Sequence, residues 1–238
     1  MTTLQRALVA VLERRWKEPD RSLWEFRGEP RHFVHSKVMA WAGFDRAIRT
    51  VEQYGVHGPV DRWRAARDAV RDEVLQRGFD ASRGTFTQAF DASALDAATL
   101  LIPQVGFLPG DDERVRGTIE AIERELLVDG FVRRYDNEAS GDGLTGNEGA
   151  FVACTLWYAD GLQMVGRDDE AREAFTRVLD VCNDVGLLAE EYDTADRRQL
   201  GNLPQAFSHV AVVNTARALS RHGAAAGRVH RHRPRQLG

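Results

Sequence analysis

The chain has 238 residues, which is long enough to bury one large core or two small ones. Hydrophobic residues make up 43% and charged residues 29%, with a formal net charge of −4, so no overall positive field would attract nucleic acid or an acidic membrane. No stretch approaches the ~20 apolar residues of a membrane span, and residues 1–16 do not resemble a signal peptide, so a cytoplasmic location is expected.

The predicted helices, taken along the chain, alternate between two styles. After a first helix over residues 1–16, one style is apolar on nearly all sides, over residues 38–48, 94–105, 150–165 and 207–219. The other style carries one apolar stripe opposite a charged face, formed by Trp63, Ala66, Val70 and Val74, by Val115, Ile119, Ile122 and Leu126, and by Ala171, Phe175, Val178 and Cys182. All-round apolar helices are buried and striped helices cover them, so the pattern predicts an all-α fold of two concentric layers, with about eight helices.

A glycine followed by a large apolar residue recurs after each striped helix. Gly78, Gly130 and Gly186 each precede a large apolar residue, at intervals of 52 and 56 residues. Glycine there is expected to be the left-handed residue that closes a helix, and Asp111 and Asp168 are expected to be N-caps. An interval of this length corresponds to one inner helix, one outer helix and a long loop.

Little of the chain is predicted to be extended. Residues 85–88 and 131–135 are expected to form short strands within loops. The segment 221–238 is rich in Arg and His without an apolar period, and is predicted to be a disordered tail after a helical domain of residues 1–220.

Candidate metal ligands are few, and no metal or cofactor site is predicted. Cys154 and Cys182 lack the paired spacing of a disulfide framework or zinc site and are expected to be small buried residues on helices. His32 and His35 have no third ligand at helical spacing, so packing or a cap at a helix start is the better interpretation. Trp41, Trp157 and Tyr158 are expected in the core.

Two acidic motifs suggest acid/base chemistry. Glu25 follows Trp24, and Glu190 and Glu191 precede an aromatic-Asp pair. Cleavage of an acetal needs one carboxyl group to protonate the leaving oxygen and another to activate water. From residue type alone, half of a surface ion pair with Arg27 is the better interpretation of Glu25, and either Glu190 or Glu191 is a candidate base.

The order of these motifs resembles glycoside hydrolase family 15. The resemblance is carried by Trp24-Glu25, by residues 35–39 (His-Ser-Lys-Val-Met), by Arg134-Tyr135 and by residues 190–193 (Glu-Glu-Tyr-Asp). That family contains glucoamylases, glucodextranases and bacterial and archaeal trehalases, and its fold is an (α/α)6 barrel. The resemblance implies an inverting enzyme that cleaves terminal α-linked glucose from a small carbohydrate without a cofactor.

The resemblance also implies roles for individual residues. Glu25 matches the general acid, Glu190 the general base and Arg134 an arginine that hydrogen-bonds the terminal glucose. Trp24 matches an aromatic wall, and with Phe26 it would raise the pKa of the acid. The remaining residues expected to bind substrate are Tyr135, Glu191 and Tyr192. Arg134 could instead pair with Asp136 or Glu138.

The expected barrel is incomplete, with about eight of twelve helices and residues 1–16 in the place of the fifth. An open toroid exposes apolar flanks, which predicts association with a complementary N-terminal half or with a second copy. The alternative hypothesis is a catalytically incomplete helical module. Zinc-dependent α/α toroids are a further alternative, for which the chain offers no convincing ligand set.

Overall fold

The computed structural model of the chain describes residues 2–137 and 148–230, with side chains as far as Arg221, and it divides into two compact units. The first unit contains residues 2–127 and 134–137, and the second contains residues 128–133 and 148–230. Eight α-helices lie within these described residues, and the strands are only two or three residues long. The prediction of an all-α fold is confirmed.

The first unit contains five α-helices and one short hairpin. Its helices are α1 (Thr3–Arg15), α2 (Val34–Tyr54), α3 (Val60–Arg77), α4 (Leu101–Gln104) and α5 (Glu113–Glu125). A 3-10 turn (Ala97–Leu100) leads directly into α4. Strands β1 (Phe79–Asp80) and β2 (Thr85–Phe86) pair antiparallel, which confirms the short strand predicted at residue 85.

The core of the first unit lies between α2 and its neighbours. Phe44 is fully buried on α2, and Trp41 meets Phe107 edge-on at 5.2 Å between ring centroids. Burying side chains of this size contributes roughly 1.5–3 kcal/mol each. Trp63 of the outer helix α3 is also buried, as the striped pattern predicts. Helix α2 is therefore an inner helix and α3 is an outer helix that buries one stripe, as expected.

The second unit contains α6 (Val152–Met164), α7 (Asp168–Leu179) and α8 (Ala206–His230). Helix α6 is buried on nearly all sides and packs against both α7 and α8, as its mostly apolar sequence predicts. Strand β5 (Ala150–Phe151) pairs antiparallel with β6 (Glu191–Asp193), which in turn pairs with β7 (Arg198–Leu200). Strands β3 (Leu127–Val128) and β4 (Phe131–Val132) form a separate hairpin.

The glycines that follow the striped helices have a different structural role from the one predicted. Gly78 is the C-cap of α3 with a φ of −98°, so it is not left-handed. Gly130 is left-handed, with a φ of 83°, but it follows Asp129 in the turn between β3 and β4 and does not close a helix. Gly186 is likewise left-handed within the loop after α7. The repeat therefore marks loop turns more than helix ends.

Two predicted N-caps are wrong by one residue. The N-cap of α5 is Asp112, not Asp111, because its side chain accepts a hydrogen bond from the Arg114 amide. Asp168 is the first residue of α7, whose N-cap is Arg167. The negative charge of Asp168 in the first turn still stabilises α7 by its favourable interaction with the helix dipole.

Two helix ends also differ from the sequence prediction. The helix expected over residues 94–105 is reduced to the 3-10 turn and α4, since Asp96 has an extended backbone and caps the turn. The tail predicted from Arg221 begins within α8, which continues to His230, while residues 231–238 lie outside the described residues. The domain boundary at residue 220 stays a prediction.

Predicted core residues are mostly confirmed. Trp41, Tyr158 and Cys154 are buried, whereas Trp157 is only half-buried. Cys182 is half-buried and lies beyond the end of α7, so the prediction that it is buried on a helix is wrong.

Candidate active site

Glu25 lies in a tight loop between α1 and α2. Its amide donates to the Ser22 carbonyl at 3.3 Å, and the Phe26 amide donates to the Arg21 carbonyl at 2.7 Å. Ser22 and Glu25 have φ values of 67° and 54°. Left-handed backbone at a residue with a side chain costs on the order of 1–3 kcal/mol and persists only where surrounding contacts enforce it. The loop therefore holds Glu25 in an unusual conformation with its side chain exposed.

The neighbours of Glu25 point in different directions. Phe26, which the sequence analysis assigned to an apolar wall beside the acid, is 2% exposed and packs on Phe33 and Tyr135, each at 4.9 Å between ring centroids. It belongs to the core beneath the loop. Trp24 is half-buried on the edge of the same cluster. Burial of Phe26 thus anchors the loop that presents Glu25.

Trp24, Arg134 and Tyr135 lie together in the first unit. The Arg134 guanidinium stands over the Trp24 ring at 5.5 Å and over the Tyr135 ring at 5.1 Å. The two rings meet edge-on at 6.4 Å. A guanidinium stacked on aromatic faces keeps its planar fork of donors while its position is fixed by the rings. The resemblance assigned these residues to one site, and in the structure they contact one another. Of the alternative partners for Arg134, Glu138 lies outside the described residues.

Asp96 is a residue of this cluster that the sequence analysis missed. The indole Nε1 of Trp24 donates to both carboxylate oxygens of Asp96, at 2.9 and 3.1 Å, and the Ala98 amide donates to Oδ1 at 2.8 Å. Burial raises the pKa of Asp96 to about 6, against the opposing effects of these donors and of the Arg134 charge. The available signal was an acidic residue inside an otherwise apolar stretch.

Glu190 lies immediately before β6 in the second unit. Its carboxylate Oε2 accepts from the Asn202 side-chain Nδ2 at 3.2 Å and from the Asn202 amide at 3.4 Å. Its own amide donates to the Asn202 carbonyl at 3.1 Å. Gly201 has a φ of 79°, and a Cβ added there would lie 2.8 Å from Oε2 of Glu190. The close approach of residues 201–202 therefore depends on glycine.

Glu191 and Tyr192 have separate surroundings within β6. The Glu191 Oε2 accepts from the Gly149 amide at 3.2 Å. Tyr192 is 8% exposed, and its ring packs on Phe131 at 4.8 Å between centroids. Glu190 and Glu191 are thus both half-buried carboxylates with different donors, so geometry within this unit leaves either available as a base. Glu148 and Gly149 precede β5, which leads directly into α6.

An open cavity of about 690 Å³ lies beside this sheet in the second unit. Its wall includes Phe131, Arg177, Tyr192 and Gln199, but neither Glu190 nor Glu191. The cavity therefore contains one of the predicted substrate-binding residues and neither candidate base.

Metal chemistry gains no support from side-chain clustering. Among residues 2–137 and 148–230, no group of three His, Cys, Asp or Glu side chains is placed to hold a metal ion. His32 stacks on Phe90 at 5.8 Å, and burial lowers the pKa of His35 to about 4, which is consistent with the packing role predicted for both. None of the described helices is both long and apolar enough to cross a membrane.

The chain belongs to the glycosyl hydrolases family 15, whose family model matches residues 1–217. A trehalase of Thermoplasma volcanium is 43% identical over 210 residues, which cover 88% of this chain and 33% of that protein. A trehalase of Mycobacterium tuberculosis is 44% identical over 199 residues, covering 84% of this chain and 29% of that protein. The chain thus spans about a third of the length of the curated relatives it matches.

Solved structures extend the likeness to the fold. A wild-type glycosidase superposes with a TM-score of 0.77 at 19% identity, covering 89% of this chain and 58% of that chain. A glucoamylase from Saccharomycopsis fibuligera superposes with a TM-score of 0.70 at 11% identity, covering 90% of this chain and 60% of that one. The predicted fold class, an α/α barrel represented in part, is therefore confirmed.

Proposed function

We propose that this chain carries the acid and base residues of an inverting glycoside hydrolase that releases terminal α-linked glucose. The observation that carries the proposal is the cluster of Trp24, Arg134 and Tyr135 beside the strained position of Glu25. Aromatic faces and a fixed guanidinium suit a pyranose ring and its hydroxyl groups. Family membership supplies the reaction class.

In the proposed mechanism Glu25 is the general acid. It transfers its proton to the glycosidic oxygen as the C1–O bond breaks, so the leaving sugar departs as a neutral alcohol. Glu190 is the general base, which removes a proton from the water that attacks C1 from the opposite face. The product is β-glucose, and both carboxyl groups return to their starting states by proton exchange with solvent. The two carboxyl groups must lie ~6.5–9.5 Å apart for a water to fit, and that opposition stays a prediction.

Asn202 favours Glu190 over Glu191 as the base. Two donors from one residue hold a single oxygen, Oε2, which leaves Oε1 of Glu190 to accept the proton of water. An ordered carboxylate loses less entropy when the attacking water is aligned. Glu191, which accepts from the Gly149 amide, is proposed to bind substrate, as is Tyr192.

Trehalose is the proposed substrate in the first place, and short α-glucans are the second. The curated relatives at 41–44% identity are trehalases, whereas the fold neighbours include glucoamylases, and a variant of the solved glycosidase is described in complex with glucose. Both substrates present a terminal α-linked glucose, so Arg134, Trp24 and Tyr135 would serve either. The cytoplasmic location predicted from sequence stays a prediction.

A complementary partner is part of the proposal, since the two units leave apolar helix faces exposed. On α8, Phe207, Val210 and Val213 are 55%, 58% and 66% exposed and recur at a spacing of three. Such a stripe favours burial against another helix, supplied either by a complementary N-terminal half or by a second copy. The same stripe favours the alternative hypothesis, an assembly module without activity of its own.

The test measures products directly. The purified chain is mixed with trehalose or maltose, and the anomeric protons are followed by NMR before mutarotation. Inversion predicts β-glucose as the first new species. Glu25→Gln and Glu190→Gln should each lower kcat by about 100-fold to 10,000-fold, whereas Glu191→Gln should lower it far less. Equal activity of Glu190→Gln and wild type would overturn the assignment of the base.

Size-exclusion chromatography with light scattering separates the two hypotheses about association. A stable monomer of 26.7 kDa that hydrolyses trehalose would contradict the need for a partner. An inactive monomer that also fails to associate with a copy of the remaining family-15 barrel would overturn the proposed function as a whole.

A further inference from the structure

Asp96 links the residues of the candidate sugar-binding wall. Its carboxylate is held on one side by the start of the 3-10 turn, through the Ala98 amide at 2.8 Å. On the other side both oxygens accept from the indole of Trp24, which is 72 residues earlier in the chain. The side chain is 2% exposed. A rigid acceptor therefore fixes the rotation of the Trp24 ring.

The backbone around Asp96 also fixes the other half of the wall. Asp96 forms an isolated antiparallel bridge with Tyr135, and the Ala97 amide donates to the Arg134 carbonyl at 2.8 Å. Two adjacent residues, Asp96 and Ala97, therefore contact Trp24, Arg134 and Tyr135. A short turn that holds all three is a more precise support than a flexible loop.

The charge of Asp96 matters to its neighbours. Arg134 is the charged group whose field acts on Asp96, while the Trp24 indole, the Ala98 amide and the Gln88 amide are neutral. An ionised Asp96 accepts more strongly from the indole and attracts the guanidinium that stands over the same ring. A protonated Asp96 loses that attraction.

We propose that Asp96 is a positioning residue, whose ionised carboxylate orients Trp24 and Arg134 and so shapes the wall that receives the terminal glucose beside Glu25. Asp96 itself need not touch the sugar. The part of the inference that concerns glucose rests on the proposed function, whereas the orientation of Trp24 by Asp96 does not. Since burial raises the pKa of Asp96 to about 6, the wall should loosen as the pH falls below that value.

The first measurement reads the hydrogen bond without any catalysis. The chain has five tryptophans and hence five indole N–H signals in a ¹⁵N–¹H spectrum, and Trp24→Phe identifies the signal of Trp24 by its loss. In wild type that signal should move through one inflection near pH 6 between pH 4.5 and 8. In Asp96→Asn, the inflection should vanish.

Asp160→Asn is the matched control. Burial also raises the pKa of Asp160 to about 6, but Asp160 lies on α6 in the second unit, where the Thr215 hydroxyl is the group that opposes the effect of burial. The Trp24 inflection should survive in Asp160→Asn. A Trp24 signal that is flat in wild type, or that still titrates in Asp96→Asn, overturns the proposal, and the wild-type titration gives this result even where Asp96→Asn fails to fold.

The second measurement concerns the sugar. With trehalose as substrate, Asp96→Asn should raise KM about ten-fold at pH 7.5 with little change in kcat, because a binding wall acts on ground and transition states alike. If no version of the chain hydrolyses trehalose, titration with D-glucose on the Trp24 signal takes its place, with the same loss in affinity expected. Equal affinity of wild type and Asp96→Asn, or absence of glucose binding by both, overturns the role in the sugar wall even where the indole titrates. A ten-fold difference in glucose affinity retains this inference even where the chain does not hydrolyse trehalose, whereas the proposed function is overturned only if the inactive chain also fails to associate with the remaining family-15 barrel.

Discussion

Replacing Asp160 by asparagine should stabilise the chain at pH 8 and leave its stability near pH 4 almost unchanged. Asp160 lies on α6, is 7% exposed, and its Oδ1 accepts no hydrogen bond from the described part of the chain. Burial is the main reason that the pKa of Asp160 rises from 3.8 to about 6, and the Thr215 hydroxyl opposes this only in part. Asparagine has nearly the same shape without the ionisable group.

The magnitude follows from linkage between protonation and folding. A carboxyl whose pKa is higher in the folded than in the unfolded chain keeps its proton longer in the folded state. Folding stability therefore falls as the pH rises from about 3.8 to about 6 and is constant above that range. The full difference corresponds to about 3 kcal/mol, of which about half is already present at pH 5. Asp160→Asn should recover that amount at pH 8.

Urea unfolding at pH 4, 5 and 8 tests this reasoning. The free energy of unfolding of Asp160→Asn should exceed that of wild type by about 2–3 kcal/mol at pH 8 and by under 1 kcal/mol at pH 4. Asp184, an exposed loop residue, provides the control, and Asp184→Asn should change stability by under 0.5 kcal/mol at each pH. A pH-independent difference, or destabilisation of Asp160→Asn at pH 8, would refute the argument from burial.

Three further predictions concern the first unit. Gly117→Ala on α5 should destabilise the chain by about 1–3 kcal/mol, because the added Cβ would overlap the Gly84 carbonyl oxygen, and this cost exceeds the gain in helix propensity. Thermal melts should show no comparable loss for Glu120→Ala, a change at an exposed position of the same helix. Lowering the pH from 7 to 5 should reduce the free energy of unfolding by about 1–2 kcal/mol through His35, whose pKa burial lowers to about 4. In this pH range the unfolded chain binds a proton at His35 that the folded chain does not, so His35→Gln should lack this part of the loss. Lys37→Met should destabilise by about 1–3 kcal/mol in urea, because the buried Nζ donates to two main-chain carbonyls at 2.6 and 2.7 Å, and a value near zero would show that those carbonyls find other donors.

The helical layers were predictable because they depend on local periodicity. Helix α6 is mostly apolar and is buried on nearly all sides, and the stripe containing Val115 and Ile119 on α5 faces the core. Helix ends were less predictable, since a cap depends on where the backbone leaves helical geometry. The N-cap of α5 is therefore Asp112, one residue after the predicted Asp111.

The candidate site was predictable only in part. Trp24, Arg134 and Tyr135 were placed together by resemblance to a family, and their contacts agree with that placement. Asp96 was missed because its role depends on a partner 72 residues away, which no local pattern reveals. Asn202 was missed for a similar reason, since its contact with Glu190 is set by the pairing of β6 with β7.

The bare α-carbon of Gly201 has a practical consequence for judging natural variants. A methyl group at this position would meet the Glu190 side chain at 2.8 and 2.9 Å, and it would sit on backbone that suits glycine best, with a φ of 79°. Even alanine, the smallest possible replacement, would thus clash with the side chain of the proposed base, Glu190. Surveys of sequence variation that score only charged or aromatic positions would pass over Gly201, although a methyl group there would displace the carboxylate proposed as the base.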